Sequence, residues 1–179
     1  MKILISGGSK NGKTAFAEDV AVKISSGGAR YYVATMIPYD NEDRARIDRH
    51  IAERAGKGFK TLECGTEIDK CVDRHSGTFL VDSVTALLVN EMFSGEHGGA
   101  ADINAVDRCE KSLHKLAERA ENTVFVTDYI FSDAMRYDDF TENYRKALAT
   151  LDRSLAEVCD VVIELCAGNV IYHKGGLDF

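Results

Sequence analysis

The sequence predicts an α/β fold, one mostly parallel sheet with helices on both faces, from three observations. Residues 2–23 run as apolar strand, glycine-rich turn and helix-spaced apolar residues, in that order. The apolar runs at 77–82, 122–127 and 159–165 are continuous rather than alternating, as expected of strands buried on both faces. Between such runs lie segments with helical periodicity, so strand and helix alternate along the chain.

The elements follow in order. Lys2–Ser6 is the first strand, and Thr14–Lys23 is the helix after it. Ala29–Thr35, β-branched and aromatic, starts after the Gly27-Gly28 stop and reads as the second strand. Gly77–Asp82, Asn122–Thr127 and Cys159–Leu165 are the next strands, and Asn169–His173 pairs with the last as a hairpin at the sheet edge. Helical patterns fall at about 41–55, 67–73, 84–93, 102–120 and 140–157. Ser94–Ala101, rich in glycine, reads as a mobile loop rather than a domain linker. A length of 179 residues suits one full core, so residues 1–179 are expected to form a single domain.

Composition removes several classes of function. Hydrophobic content of 45% and charged content of 28% are those of an ordinary soluble globular protein. The opening apolar run is too short for a secretory leader, and no stretch approaches the ~20 residues that cross a bilayer. A cytoplasmic protein without a membrane span is expected. The net charge of −7 argues against nucleic acid as a partner. The five cysteines are odd in number and form no C-x-x-C, so they read as free thiols, some of them core packing.

Gly7, Gly8, Ser9, Lys10, Asn11, Gly12, Lys13 and Thr14 spell a complete G-x-x-x-x-G-K-T phosphate loop between the first strand and its helix. The glycines let successive backbone N–H groups face a phosphate, and Lys13 adds a point charge at the β/γ oxygens. Thr14 offers a hydroxyl to Mg²⁺, and the helix N-terminus faces the anion. The fold class narrows to a P-loop NTPase-like domain that binds a nucleoside triphosphate. Asp82 ends an apolar strand at the sheet edge where that loop lies. It helps hold Mg²⁺ opposite Thr14, caps the helix that follows, or does both at once. In the helix at 41–54, Arg46, Arg49, His50 and Arg54 fall along one side. They form either a solvated charged face or a cationic cluster beside the triphosphate, with a neutral imidazole able to attack phosphorus. His75, His97, His114 and His173 lack partners at useful spacing and read as surface residues.

Taken together, these residues resemble the bifunctional adenosylcobinamide kinase / adenosylcobinamide-phosphate guanylyltransferase family of cobalamin biosynthesis. The matching stretches are Ile3–Thr14, Tyr32–Thr35, Asp43–His50 with Arg54, Thr61–Glu63, Phe79–Thr85 with Asn90, and Val124–Thr127. The R-I-x-x-H element, followed by Thr-x-Glu, is the most specific of them. The resemblance implies phosphorylation of adenosylcobinamide by ATP or GTP, then attachment of GMP from GTP through a GMP-histidine at His50. It implies nucleotide contacts from Gly7–Thr14, from Ala34, Thr35 and Met36, and from Glu63 and Asp82. Arg46, Arg49 and Arg54 become candidates for holding phosphates, and a homotrimer is implied.

The last third departs from the family pattern. After the strand ending at Thr127 the family usually carries Asn-Glu-Val-Gly-x-Gly, where this chain has Asp128–Asp133. In the late helix, Arg145-Lys146 and Asp152-Arg153 stand where the family has Arg-Asp and Asn-Gln. Those departures keep two rivals in view. One is a different small-molecule kinase on the same scaffold; the other is a nucleotide-binding regulatory protein that has lost acceptor chemistry.

Overall fold

The computed structural model describes residues 1–93, 102, 104–131 and 133–179, apart from the side chains of Arg46 and Glu53. The loop expected at 94–101, with His97, lies outside the described residues.

Among the described residues seven strands form one sheet: β1 (Lys2–Gly7), β2 (Arg30–Ala34), β3 (Phe59–Glu63), β4 (Thr78–Asp82), β5 (Asn122–Asp128), β6 (Val161–Cys166) and β7 (Asn169–Lys174). Their order across the sheet is β3-β2-β4-β5-β1-β6-β7. Every neighbouring pair is parallel except the antiparallel hairpin β6–β7 at the edge. The expected strands are present, and the expected hairpin closes the edge. The patterning carries no strand signal at Phe59–Glu63, and β3 is the addition. It is an edge strand in which only Phe59 and Leu62 are half-buried, so it lacks the apolar run that marks the central strands.

The helices are α1 (Lys13–Ile24), α2 (Asn41–Glu53), α3 (Ile68–Val72), α4 (Val84–Phe93), α5 (Ala105–Arg119) and α6 (Asp139–Val158). Strand side chains alternate between two cores, as the pleat requires. Ile3, Ile5, Leu80, Val124 and Val126 pack with Ala17, Val20 and Ala21 of α1. Leu4, Val33, Phe79, Val81 and Phe125 face α3, α4, α5 and α6 through Ile68, Leu88, Leu113 and Leu151. Helices therefore cover both faces of the sheet. Helix α2 differs from the others, because none of its described side chains is buried. Its N-terminus is fixed by Asp40, whose carboxylate accepts from the Asp43 backbone N–H at 2.8 Å.

One sequence expectation needs correction. Cys64 and Cys71 are joined as a disulfide, with Cα atoms 5.9 Å apart, so the reading of five free thiols holds only for Cys109, Cys159 and Cys166. The reason is geometric. Strand β3 delivers Cys64 beside α3, a proximity that the seven-residue separation does not advertise. Cys109 and Cys159 are buried, and burial pushes each thiol up to about 12, in keeping with core packing.

Candidate active site

The carboxyl ends of β1, β2, β4 and β5 converge, which is where open parallel sheets bind ligands. Gly7 ends β1 and the phosphate loop turns from it into α1. Gly12, the residue before α1, has φ +88°, a left-handed conformation that glycine adopts without steric cost. A Cβ on Gly7 would stand 2.6 Å from the carbonyl oxygen of Leu165, so β6 approaches too closely for any side chain there. Asn11 pins the loop to that strand, its amide donating to the same Leu165 oxygen at 2.7 Å.

Lys13 is buried, with 6% of its surface exposed, so its charge must be satisfied internally. Its Nζ donates to the Gly8 carbonyl at 2.6 Å and pairs with Asp128 Oδ1 at 2.9 Å. Thr14 Oγ1 donates to Asp82 Oδ2 at 2.9 Å, which brings the two residues expected at a metal onto one hydrogen bond. Tyr32 donates its hydroxyl to the same Oδ2 at 2.6 Å. Burial, and next the Asp82 charge, raise the Tyr32 pKa far above the usual phenol range, so this hydroxyl remains a donor. Asp82 thus presents a carboxylate held by two neutral hydroxyls. Hard oxygens with residual negative charge suit Mg²⁺, which commonly takes one or two protein oxygens and completes its shell with phosphates and water. Among the described residues no cluster of three or more His, Cys, Asp or Glu could hold a metal by itself.

Arg54 reaches the site by a route that its charge alone does not suggest. Its guanidinium lies 3.9 Å from the centroid of the Tyr32 ring and donates to Thr61 Oγ1 at 3.0 Å. The residue is buried at 6% exposure. It therefore supports the tyrosine that supports Asp82, rather than standing free to grip a phosphate. The chain Arg54–Tyr32–Asp82–Thr14 ties the end of α2 to the phosphate loop. His50, half-buried, stands one helical turn before Arg54, and the Arg54 backbone N–H donates to its carbonyl at 3.2 Å. Arg49 is exposed, and the Arg46 side chain lies outside the described residues.

The remaining expected residues stitch the strand ends together. Thr35 is fully buried: its hydroxyl donates to the Ser83 carbonyl at 2.8 Å, and the Ser83 N–H donates back at 2.7 Å. Asn90 donates to the carbonyls of Thr35 at 2.7 Å and Gly65 at 2.8 Å, bridging the exits of β2 and β3. Ala34 and Glu63 face each other in register at the ends of β2 and β3, with Met36 half-buried beyond. Gly8, Ser9 and Lys10 form the exposed crest of the loop. Of the other described histidines, His114 and His173 bond Ser154 and Glu164, each at 2.8 Å, and His75 packs edge-on against Tyr31.

Two acids of the site carry no motif that singles them out in the sequence. Asp128 ends β5 as Asp82 ends β4, so an acid closing an apolar run is the signal that marks both. Asp152, on α6, is half-buried, yet its Oδ1 is fully enclosed and without a hydrogen-bond partner. Burial pushes Asp152 up to about 7, against the opposing Thr127 hydroxyl and with the Asp128 charge adding to the rise.

Comparison with known proteins places the chain in a family and a fold. Residues 3–172 match the family model described as cobinamide kinase / cobinamide phosphate guanyltransferase. Two curated relatives are bifunctional adenosylcobalamin biosynthesis proteins CobU. That of Salmonella typhimurium is 25% identical over 179 residues, covering 94% of this chain and 97% of the relative. That of Escherichia coli is 30% identical over 181 residues, with the same coverage of 94% and 97%. Among solved structures, an ATPase domain aligns with a TM-score of 0.58 at 12% identity, covering 97% of this chain and 76% of that one. The flagellar accessory protein FlaH from Methanocaldococcus jannaschii aligns at 0.52 and 12% identity, covering 98% and 78%. At such identities these two establish the fold alone, a P-loop NTPase-like one. Among the described residues no helix is long and apolar enough to cross a membrane.

Proposed function

The chain belongs to the cobinamide kinase / cobinamide phosphate guanyltransferase family, and from that premise we propose that it carries out both reactions on adenosylcobinamide. A nucleoside triphosphate first phosphorylates the aminopropanol hydroxyl of the corrinoid. GMP from GTP then passes to that phosphate through a His50 adduct, giving adenosylcobinamide-GDP. The observation that carries this reading is the chain of contacts that ties the His50 helix to the phosphate loop: Thr14 and Tyr32 each hydrogen-bond Asp82, and the Arg54 guanidinium stacks on the Tyr32 ring.

In this reading the loop N–H groups and Lys13 hold the triphosphate, and neutral His50 attacks the α-phosphorus as pyrophosphate leaves. Mg²⁺, held by Thr14 and Asp82, would offset negative charge on the phosphates. The same premise gives one transferase domain over residues 1–179 in a cytoplasmic homotrimer, whose mass light scattering measures directly.

The test is incubation with α-labelled GTP and Mg²⁺. An acid-labile, alkali-stable protein adduct is expected, and it should vanish in His50→Ala while nucleotide binding persists. Nucleotide turnover without an adduct would point instead to another small-molecule kinase. Binding with neither turnover nor adduct would point to a regulatory protein.

A further inference from the structure

We propose that Asp128 is the general base of the kinase step, taking the proton from the acceptor hydroxyl as that hydroxyl attacks the γ-phosphorus. The inference rests on the kinase half of the proposed function, and three observations at the end of β5 support it.

First, Asp128 Oδ1 lies 2.9 Å from Lys13 Nζ. The lysine of a phosphate loop serves the β/γ oxygens, so a carboxylate on that same ammonium stands at the γ end of the nucleotide. Second, Asp128 is open on its other side: a third of its side chain is exposed while Lys13 is 7% exposed, so an incoming hydroxyl can reach the carboxylate. Third, its position is fixed from behind. The Asp128 backbone N–H donates to Thr85 Oγ1 at 2.8 Å, and the next N–H, of Tyr129, donates to the Gly7 carbonyl at 2.9 Å.

At the γ end of a triphosphate the Asp128 carboxylate is an anion beside an anion. Two anions side by side repel unless a proton lies between them, and the acceptor hydroxyl supplies that proton. Lys13 at the start of α1 pairs with Asp128, and the Asp128 charge adds to the burial that raises the pKa values of Asp152 and Tyr144 on α6. Lys13 keeps the carboxylate paired on the side of the phosphate loop. In the step itself the hydroxyl proton passes to the Asp128 carboxylate and the acceptor oxygen forms a bond to the γ-phosphorus. The bond from the γ-phosphorus to the β–γ bridging oxygen breaks, and its electron pair leaves on the nucleoside diphosphate beside Lys13. Guanylyl transfer needs no such proton removal, because its acceptor is a phosphate oxygen that is already ionised.

That asymmetry gives the test. Asp128→Asn keeps the shape and removes the base. It is compared with wild type in two assays: phosphorylation of adenosylcobinamide, and GMP transfer to adenosylcobinamide phosphate. The expected result is a fall in kcat of the kinase step of about 100-fold or more, with guanylyl transfer within roughly threefold. Nucleotide Kd should stay level or tighten, since Lys13 is released. Asp128→Ser, smaller and also without a carboxylate, should reproduce the split if the amide disturbs folding. A kinase step within threefold of wild type in these variants overturns the proposal, as does an equal fall in both steps. Wild-type protein that phosphorylates no acceptor defeats the kinase reading itself. An active wild type matched by an active variant defeats only Asp128.

Discussion

Strands β4 and β5 lie side by side and each ends in an aspartate, yet their two tips are built in opposite electrostatic senses. Asp82, on β4, receives two neutral hydroxyls, from Thr14 and Tyr32, with no cation paired to it among the described residues. Asp128, on β5, pairs with the Lys13 ammonium, and its charge adds to the raised pKa of Asp152. The support differs too. The β4 tip leans on Tyr32 and, through its ring, on Arg54. At the β5 end the electrostatic partner is Asp152, whose enclosed Oδ1 has no hydrogen-bond partner. One sequence signal, an acid closing an apolar run, thus yields a place for a cation at one tip and a neutralised pair at the other. Neighbouring elements decide which.

The largest effect is expected at the β4 tip. Asp82→Asn retains an oxygen for the Thr14 and Tyr32 hydroxyls but removes the charge. Phosphoryl and guanylyl transfer should both fall by roughly 100-fold or more, with the Mg²⁺ concentration for half-activity rising. Steady-state rates against a Mg²⁺ titration measure this. Loss of only one of the two reactions would show that the tips do not divide the chemistry in the way proposed.

At the β5 tip the next prediction concerns stability and pH. Asp152 has a folded pKa raised to about 7 from the ordinary 3.8. The folded state therefore holds a proton that the unfolded state has released between those values. Its contribution is present in full below about pH 4 and is lost as pH rises to about 7. The full shift corresponds to roughly 4 kcal/mol. Residual solvent contact reduces this to about 2 kcal/mol. Asp152→Asn should raise Tm at pH 8 by several degrees and change it little at pH 4.5. Thermal melts across that range read the difference, and a parallel offset at both pH values would contradict a buried, titrating acid.

These two tips also show where sequence reasoning stops. The phosphate loop, the central strands and Asp82 are legible because each is encoded locally, by glycine spacing or by an apolar run. Edge strand β3 is not, because it carries no apolar run and its pairing with β2 is a tertiary fact. The same holds for the Cys64–Cys71 bond, which depends on where β3 delivers one partner. Arg54 is the clearest case. Its position among Arg46, Arg49 and His50 suggests an arginine facing solvent or phosphate, whereas the structure lays it across Tyr32, a residue 22 positions earlier in the sequence. A long cationic side chain buries its stem and stacks its planar head, and periodicity carries no signal for that.

Arg54 gives the third prediction, a moderate one. Arg54→Ala removes the stacked guanidinium and the bond to Thr61, at a cost of about 2 kcal/mol. At this chain length that lowers Tm by roughly 4–8 °C. Arg49→Ala, on the exposed face of the same helix, should change stability by less than about 0.5 kcal/mol. If the two arginines behave alike, the β4 tip does not depend on the end of α2.

The smallest effect isolates one hydrogen bond. Tyr32→Phe keeps the ring under Arg54 and removes only the hydroxyl that donates to Asp82 at 2.6 Å. Asp82 retains Thr14 and is only half-buried, so the loss should be about 1 kcal/mol of stability. Its signature is expected in catalysis. A carboxylate freed of one donor can rotate, so the variant should need more Mg²⁺ for half-activity, by a few-fold, while kcat at saturating Mg²⁺ changes little. Arg54→Ala combined with Tyr32→Phe then measures the coupling between the two supports. Because the guanidinium stacks on the ring and not on the hydroxyl, the two losses should add to within about 0.5 kcal/mol. A larger coupling would mean that Arg54 acts on Asp82 through the phenol dipole, which would make the β4 tip an electrostatic relay rather than a packed support.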